Sequence, residues 1–311
     1  MELLPVFVDS SYQIRSGWRF LAYCVLLVGM FFMTQLAASI VVGWLYPELF
    51  ESPRTDIRYL AVNAIVLFIP SAGTLFIMAR GLDQTPVSVF GVALHDRWAK
   101  DFAWGLAIAA GMLSLTLAGS FLFGEVRLEW TGSLSAIRII GFTLAVFALS
   151  AINEELVFRG YPLQVLMKGL GPWGSMILIS SLFGLLHWRN PGATVLSVLN
   201  TILAGVLLAL AYLKTRSLWF PYGIHLGWNA GLSVVLGYPV SGIPTASILT
   251  THVSGSQTML GGSYGPEAGI VGTVIFVAGA VVVRRMRTVR VSPQMRTALA
   301  AHAEKTYVEA T

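Results

Sequence analysis

The chain has 311 residues, of which 56% are hydrophobic and 11% charged, against roughly 25% charged in soluble domains. Together with a mean hydropathy of +0.73, this excludes an ordinary soluble globular protein and marks an integral membrane protein. The net charge of +5 reads as basic loops on one side of a membrane, not as a nucleic-acid surface, and a single cysteine, Cys24, excludes an intramolecular disulfide.

A crossing helix needs roughly 20 apolar residues. Eight runs meet or approach that length: Phe20–Tyr46, Tyr59–Ala79, Phe102–Phe123, Ile139–Tyr161, Trp173–Trp188, Ala193–Leu213, Ser217–Val240 and Ala268–Val283. The spacing predicts an all-α polytopic bundle of about eight membrane helices. Residues 1–138 carry the first three spans, 139–240 a core of spans four to seven, 241–290 an outer loop and span eight, and 291–311 a tail. Arg15 and Arg19 precede span one. Arg80, Arg97 and Lys100 follow span two, Arg159 and Lys168 span four, Lys214 and Arg216 span six, and Arg284, Arg285, Arg287 and Arg290 span eight. The alternate loops hold Arg54, Arg58, Arg127, Arg138 and Arg189, but are longer or mixed with acids. This bias places both termini in the cytoplasm. The Gly-, Ser- and Thr-rich stretch Gly242–Glu267 reads as an exposed outer loop. The tail past Arg290 reads as a short helix or a disordered segment.

Three spans carry the chemistry. In "AINEELVFRG", residues 151–160, Glu155 and Arg159 stand four apart and share a helix face. Glu154 points about 100° away and has Phe158 at its i+4 position. A buried structural ion pair accounts for Glu155 and Arg159. It leaves Glu154 as an unpaired intramembrane carboxylate, which is a functional candidate by default. "FGLLH" sets Phe183 and His187 at i,i+4, and "HLGWN" does the same for His225 and Asn229. His187, next to "WRNP", also fits an ordinary interfacial histidine, and His225 or Asn229 alone fits an interhelical hydrogen bond. Together with Glu154 they supply the acid/base, donor and acceptor groups that hydrolysis requires. At about 1.5 Å per residue, Glu154 lies about 10 Å inside Tyr161 and His225 about 12 Å inside Ser217. His187 lies about 21 Å from Trp173, a mismatch of two turns.

The order "EELVFR", "FGLLH", "HLGWN" on successive spans resembles the CPBP family of intramembrane proteases, which includes type II CAAX prenyl endopeptidases and Abi-type proteins. The resemblance covers roughly Ile139 to Gly237. It implies a helical bundle with a cavity open to the cytoplasm and a catalytic set of Glu154, His187, His225 and Asn229, supported by Glu155 and Arg159. Phe183 would line the cavity. Glu154, as general base, would activate a water oriented by His187, while His225 and Asn229 would donate to the oxyanion. No cofactor is favoured. Zn²⁺ stays open, because Glu154, His187 and His225 are a plausible ligand set, although no HExxH occurs.

The expected function is endopeptidase action on a membrane-associated peptide or protein in the lipid bilayer, at the inner membrane if the source is bacterial. A transporter using the Glu/His cluster and a non-catalytic membrane scaffold are the alternatives. Transporters often show an inverted repeat, and none is evident here.

Overall fold

Apolar runs in lipid must satisfy their own backbone hydrogen bonds, which leaves helices as the economical solution. The computed structural model describes residues 4–8, 14–48, 57–131 and 134–308; Arg54 lies outside them. The helices are α1 (Ser16–Leu45), α2 (Ile57–Ile77), α3 (Trp98–Phe123), α4 (Leu134–Glu155), α5 (Tyr161–Leu186), α6 (Val195–Thr215), α7 (Trp219–Ala230), α8 (Ile270–Arg285) and α9 (Pro293–Val308). Strand β1 (Gly124–Trp130) pairs antiparallel with β2 (Leu249–Gly255), Gly124 opposite Gly255. The result is an all-α membrane bundle with one short β-ribbon. Its outer helix faces are apolar and exposed, as Val25, Phe32, Ile40 and Trp44 on α1 illustrate.

Among the described residues, five helical runs are long and apolar enough to cross a membrane. One run, Ile137–Arg189, is 53 residues long and folds back on itself. If straight, it would hold Glu154 and His187 about 50 Å apart, yet their side chains are 4.0 Å apart. Phe158 and Phe183 also meet, with ring centroids at 5.1 Å. Both pairs are centred on Leu170–Gly171. Gly171 has φ 67 and ψ 174 inside the run and is followed by Pro172. A positive φ suits glycine, and proline cannot continue the hydrogen-bond ladder backwards, so the hairpin vertex is built from these two residues. The expected end of span four at Tyr161 is therefore corrected. The helix runs on to the vertex, which puts Glu154 and His187 at nearly equal distances from it, about 25 and 24 Å along their arms. The apparent depth mismatch came from counting Glu154 from Tyr161.

Span seven is shorter than expected, and span eight keeps its expected length, shifted two residues along the chain. α7 has 12 residues and is prolonged by a five-residue π turn, Gly231–Val235, and α8 has 16. α7 is packed inside the bundle, most extensively on α3. That contact is backbone to backbone. A Cβ at Gly105 would lie 2.5 Å from the Phe220 carbonyl oxygen, and one at Gly223 would lie 2.3 Å from that of Phe102. Small residues of this kind let membrane helices approach closely. Gly223→Leu is expected to force the two helices apart and abolish the folded protein. Size-exclusion recovery in detergent, compared with Ala230→Leu, measures this; full recovery of Gly223→Leu would refute the crossing.

The two ends of the bundle differ. At one end, the side chain of Arg19 pairs with Asp83 at 2.5 Å, the Leu218 amide donates to Gly91 O at 2.9 Å, and Lys214 Nζ donates to Met286 O at 2.8 Å. The Asp96 amide donates to Gln294 Oε1 at 3.0 Å. The start of α1, the end of α2, the Gly171 vertex, the α6–α7 turn and α9 thus gather at this terminal end. It carries the basic residues assigned to the expected cytoplasmic loops except Arg159, which is fully buried in the bundle. The far end carries the start of α2, the β-ribbon, the α5–α6 turn and the segment between α7 and α8. That segment corrects the expectation of an exposed outer loop at Gly242–Glu267. It contributes β2, buries Tyr264 and Glu267, and lies across the far end of an internal cavity. The tail past Arg290 forms α9.

Candidate active site

Glu154 and Glu155 end α4, and a π turn, Leu156–Gly160, follows at once. Such bulges insert a residue into the helical register and are frequent at functional sites. Glu154 is half-buried and faces the cavity. Its Oε2 lies 3.6 Å from His225 Nε2 and 4.0 Å from His187 Nε2. This oxygen is buried and has no hydrogen-bond partner among the described residues.

Each imidazole is fixed by its other nitrogen. His187 Nδ1 is 2.7 Å from the Phe183 carbonyl oxygen, and a carbonyl only accepts, so Nδ1 carries the proton. His225 Nδ1 is 2.8 Å from Glu155 Oε1 and donates to that carboxylate. In both rings Nε2 is turned to Glu154. The spacing of the FxxxH motif thus has a local cause: one helical turn places the Phe183 carbonyl beneath the histidine ring. The Phe183 ring lies 4.6 Å from the His187 ring and 6.2 Å from that of His225.

Glu155 pairs with Arg159, Oε1 to Nη1 at 3.2 Å, both fully buried. Arg159 Nη2 also donates to Gly205 O at 3.3 Å, and its guanidinium lies 4.5 Å from the Phe183 ring centroid. The sequence suggested only the Glu155–Arg159 pair. The structure adds His225 to it, so a line Arg159–Glu155–His225–Glu154 runs from the core to the cavity. Asn229, one turn beyond His225, also lines the cavity.

The cavity measures about 240 Å³. Besides these groups it is lined by Ser150, Thr201, Trp228, Ser241 and Glu267, and by apolar residues such as Met112, Leu208 and Phe276. Glu267 is the residue the sequence did not single out. Its Oε1 accepts from Trp228 Nε1 at 2.9 Å, and its Oε2 from the Ser241 amide at 2.6 Å and Ser241 Oγ at 2.9 Å. Three donors on one carboxylate pin the segment between α7 and α8 to the cavity rim. The "GPEAG" stretch carries no spacing that would have revealed this.

A tetrahedral Zn²⁺ with bonds of about 2.0–2.2 Å holds its ligand atoms about 3.4 Å apart. The Glu154–His187 separation is wider, and no group of three or more His, Cys, Asp or Glu among the described residues is placed to hold an ion. The Glu154–His225 separation of 3.6 Å is close to the ligand spacing.

The fold and this cluster define a class: a polytopic α-helical membrane protein with a buried glutamate–histidine site on an internal cavity. Residues 136–231 match the model of a family described as type II CAAX prenyl endopeptidase Rce1-like. The matched stretch runs from α4 into the π turn after α7 and contains Glu154, Glu155, Arg159, Phe183, His187, His225 and Asn229. No curated protein and no solved structure matches the chain.

Proposed function

We propose that the protein is an intramembrane endopeptidase acting on membrane-associated protein substrates, and that Glu154 is its general base. The observation that carries this reading is the Glu154 Oε2 atom, unpartnered and flanked by two oriented imidazole Nε2 atoms at 3.6 and 4.0 Å. The Rce1-like match supports the reaction class.

A water at about 2.8 Å from both Glu154 Oε2 and His187 Nε2 subtends roughly a right angle across their 4.0 Å gap. Glu154 takes its proton as the oxygen attacks the scissile carbonyl. The resulting oxyanion accepts from the Asn229 carboxamide and from His225. His225 Nδ1–H is committed to Glu155, so Nε2 donates only in the imidazolium form, whose charge the Glu155 carboxylate balances. As the C–N bond breaks, Glu154 returns its proton to the leaving amine.

The test is cleavage of a membrane reporter by wild type and Glu154→Gln; retained cleavage would sink the reading. No step passes through a metal, so activity is expected to survive exhaustive chelation. Loss on chelation, with recovery on stoichiometric Zn²⁺, would overturn that.

A further inference from the structure

We propose that the groove between α1 and α2 holds a transmembrane helix of the substrate, one that carries small residues and a hydrogen-bonding side chain near mid-membrane. This rests on the endopeptidase reading for the word substrate, but not for the groove. The outer face of α1 is apolar along most of its length, and one stripe breaks it. Gln35, Ala38, Ser39 and Val42 stand at i, i+3, i+4 and i+7, the spacing of a helix-packing face. Opposite them stand Tyr59, Val62 and Asn63 of α2, and the two sets enclose a hollow of about 40 Å³. No third helix lines it, so among the described residues its open side is turned to lipid. At about 1.5 Å per residue, Gln35 lies about 24 Å beyond Arg19 and about 14 Å short of the exposed Trp44. That is well inside a hydrocarbon layer of about 30 Å. Asn63 Nδ2 donates back to Tyr59 O of its own helix at 2.8 Å, and among the described residues no hydrogen bond crosses the groove.

Acyl chains offer neither donors nor acceptors, so lipid cannot answer the half-buried Gln35 carboxamide. A helix with Asn, Gln, Ser or Thr at that depth can, and Ala38 and Ser39 are small enough to let its backbone come close. Two observations make that helix the substrate's. First, Asn153 Nδ2 donates to Ala64 O at 2.8 Å, which holds Asn63 of α2 at the level of Glu154 on α4. Second, the first two turns of α2 serve both sites. Ile57 and Leu60 line the cavity, while Tyr59, Val62 and Asn63 line the groove, about 140° round the same helix. α2 is thus the partition between them, and a helix docked in the groove lies level with Glu154 with only α2 in between. A second copy of the chain would bring the same polar side chains, but its seat would need no relation to Glu154.

The experiment is energy transfer in lipid vesicles, with full-length protein carrying Glu154→Gln so that no peptide is consumed. A donor dye sits on Ser256→Cys in a Cys24→Ser background. The probes are acceptor-labelled synthetic Leu/Ala helices of about 20 residues, one with Asn at its centre and one with Leu. Expected is saturable transfer to the Asn helix, with binding about three- to tenfold tighter than to the Leu helix, the scale of one interhelical hydrogen bond. Gln35→Leu/Asn63→Leu should erase that difference. Ser39→Leu, which fills the hollow, should weaken the Asn helix, and it decides alone if the double variant is not recovered intact on size exclusion. The proposal is overturned if the parent binds both helices alike or neither, or if the preference for Asn survives these substitutions. It is also overturned if donor- and acceptor-labelled protein transfer energy to each other and the double variant does not, since the occupant is then a second copy. Binding needs no turnover. A groove that selects the Asn helix in a protein whose parent cleaves no membrane reporter would sink the protease reading alone; a cleaving protein without that selectivity would sink this proposal alone.

Discussion

Glu154→Gln is expected to leave a folded protein whose cleavage of a membrane reporter falls by about 10²–10⁴-fold, the range that a positioned general base contributes. The substitution keeps the shape of the side chain and removes the proton acceptor. Oε2 of Glu154 makes no hydrogen bond to a described residue, and the side chain faces the cavity. The change breaks no hydrogen bond of Oε2 and leaves Glu155 beside His225, so stability should move by less than about 1 kcal/mol. Thermal unfolding in detergent and reporter cleavage, measured on the same preparation, check both halves. A destabilised Glu154→Gln protein would mean that its carboxylate holds the bundle together. A stable and active one would remove the base from the mechanism.

The adjacent residue should respond differently. Glu155→Gln leaves Arg159 as a fully buried cation without its counter-charge, and breaking a buried pair in this way costs about 3–5 kcal/mol. Folded yield should collapse. Glu155 also holds the proton-bearing Nδ1 of His225 at 2.8 Å, so its loss touches chemistry as well as stability. The double variant Glu155→Gln/Arg159→Leu separates the two effects. Removing both charges should restore much of the yield, since apolar replacement of a buried pair is often neutral. Cleavage should stay low, because the His225 imidazolium then lacks its balancing carboxylate. Recovery of both yield and cleavage would show Glu155 to be only the partner of Arg159.

How much of this was legible follows from the range of each signal. The three i,i+4 pairs were readable because they are local: a helix fixes the geometry of residues four apart. The different surroundings of Glu154 and Glu155 were readable for the same reason. The resemblance put His187 in one set with Glu154, but the depth count did not, because it ended span four at Tyr161, ten residues before the chain turns at Gly171. The π turns after Glu155 and Ala230, which tertiary packing decides, were not readable. The stretch Gly242–Glu267 looks like an exposed loop by composition. Only long-range hydrogen bonds to Trp228 and Ser241 show why Glu267 is buried.

The hairpin at Gly171 has a consequence for how the chain tolerates insertions. Glu154 and His187 meet only because their two arms have matching lengths from one fold point, 17 and 16 residues by position. Deleting one helical turn from a single arm would slide its reacting group about 5.4 Å past the other, farther than the whole 4.0 Å between them. Deleting a turn from both arms would leave them level. The two arms work as a pair of rulers clamped at one end: either can be shortened, provided the other is cut to the same mark.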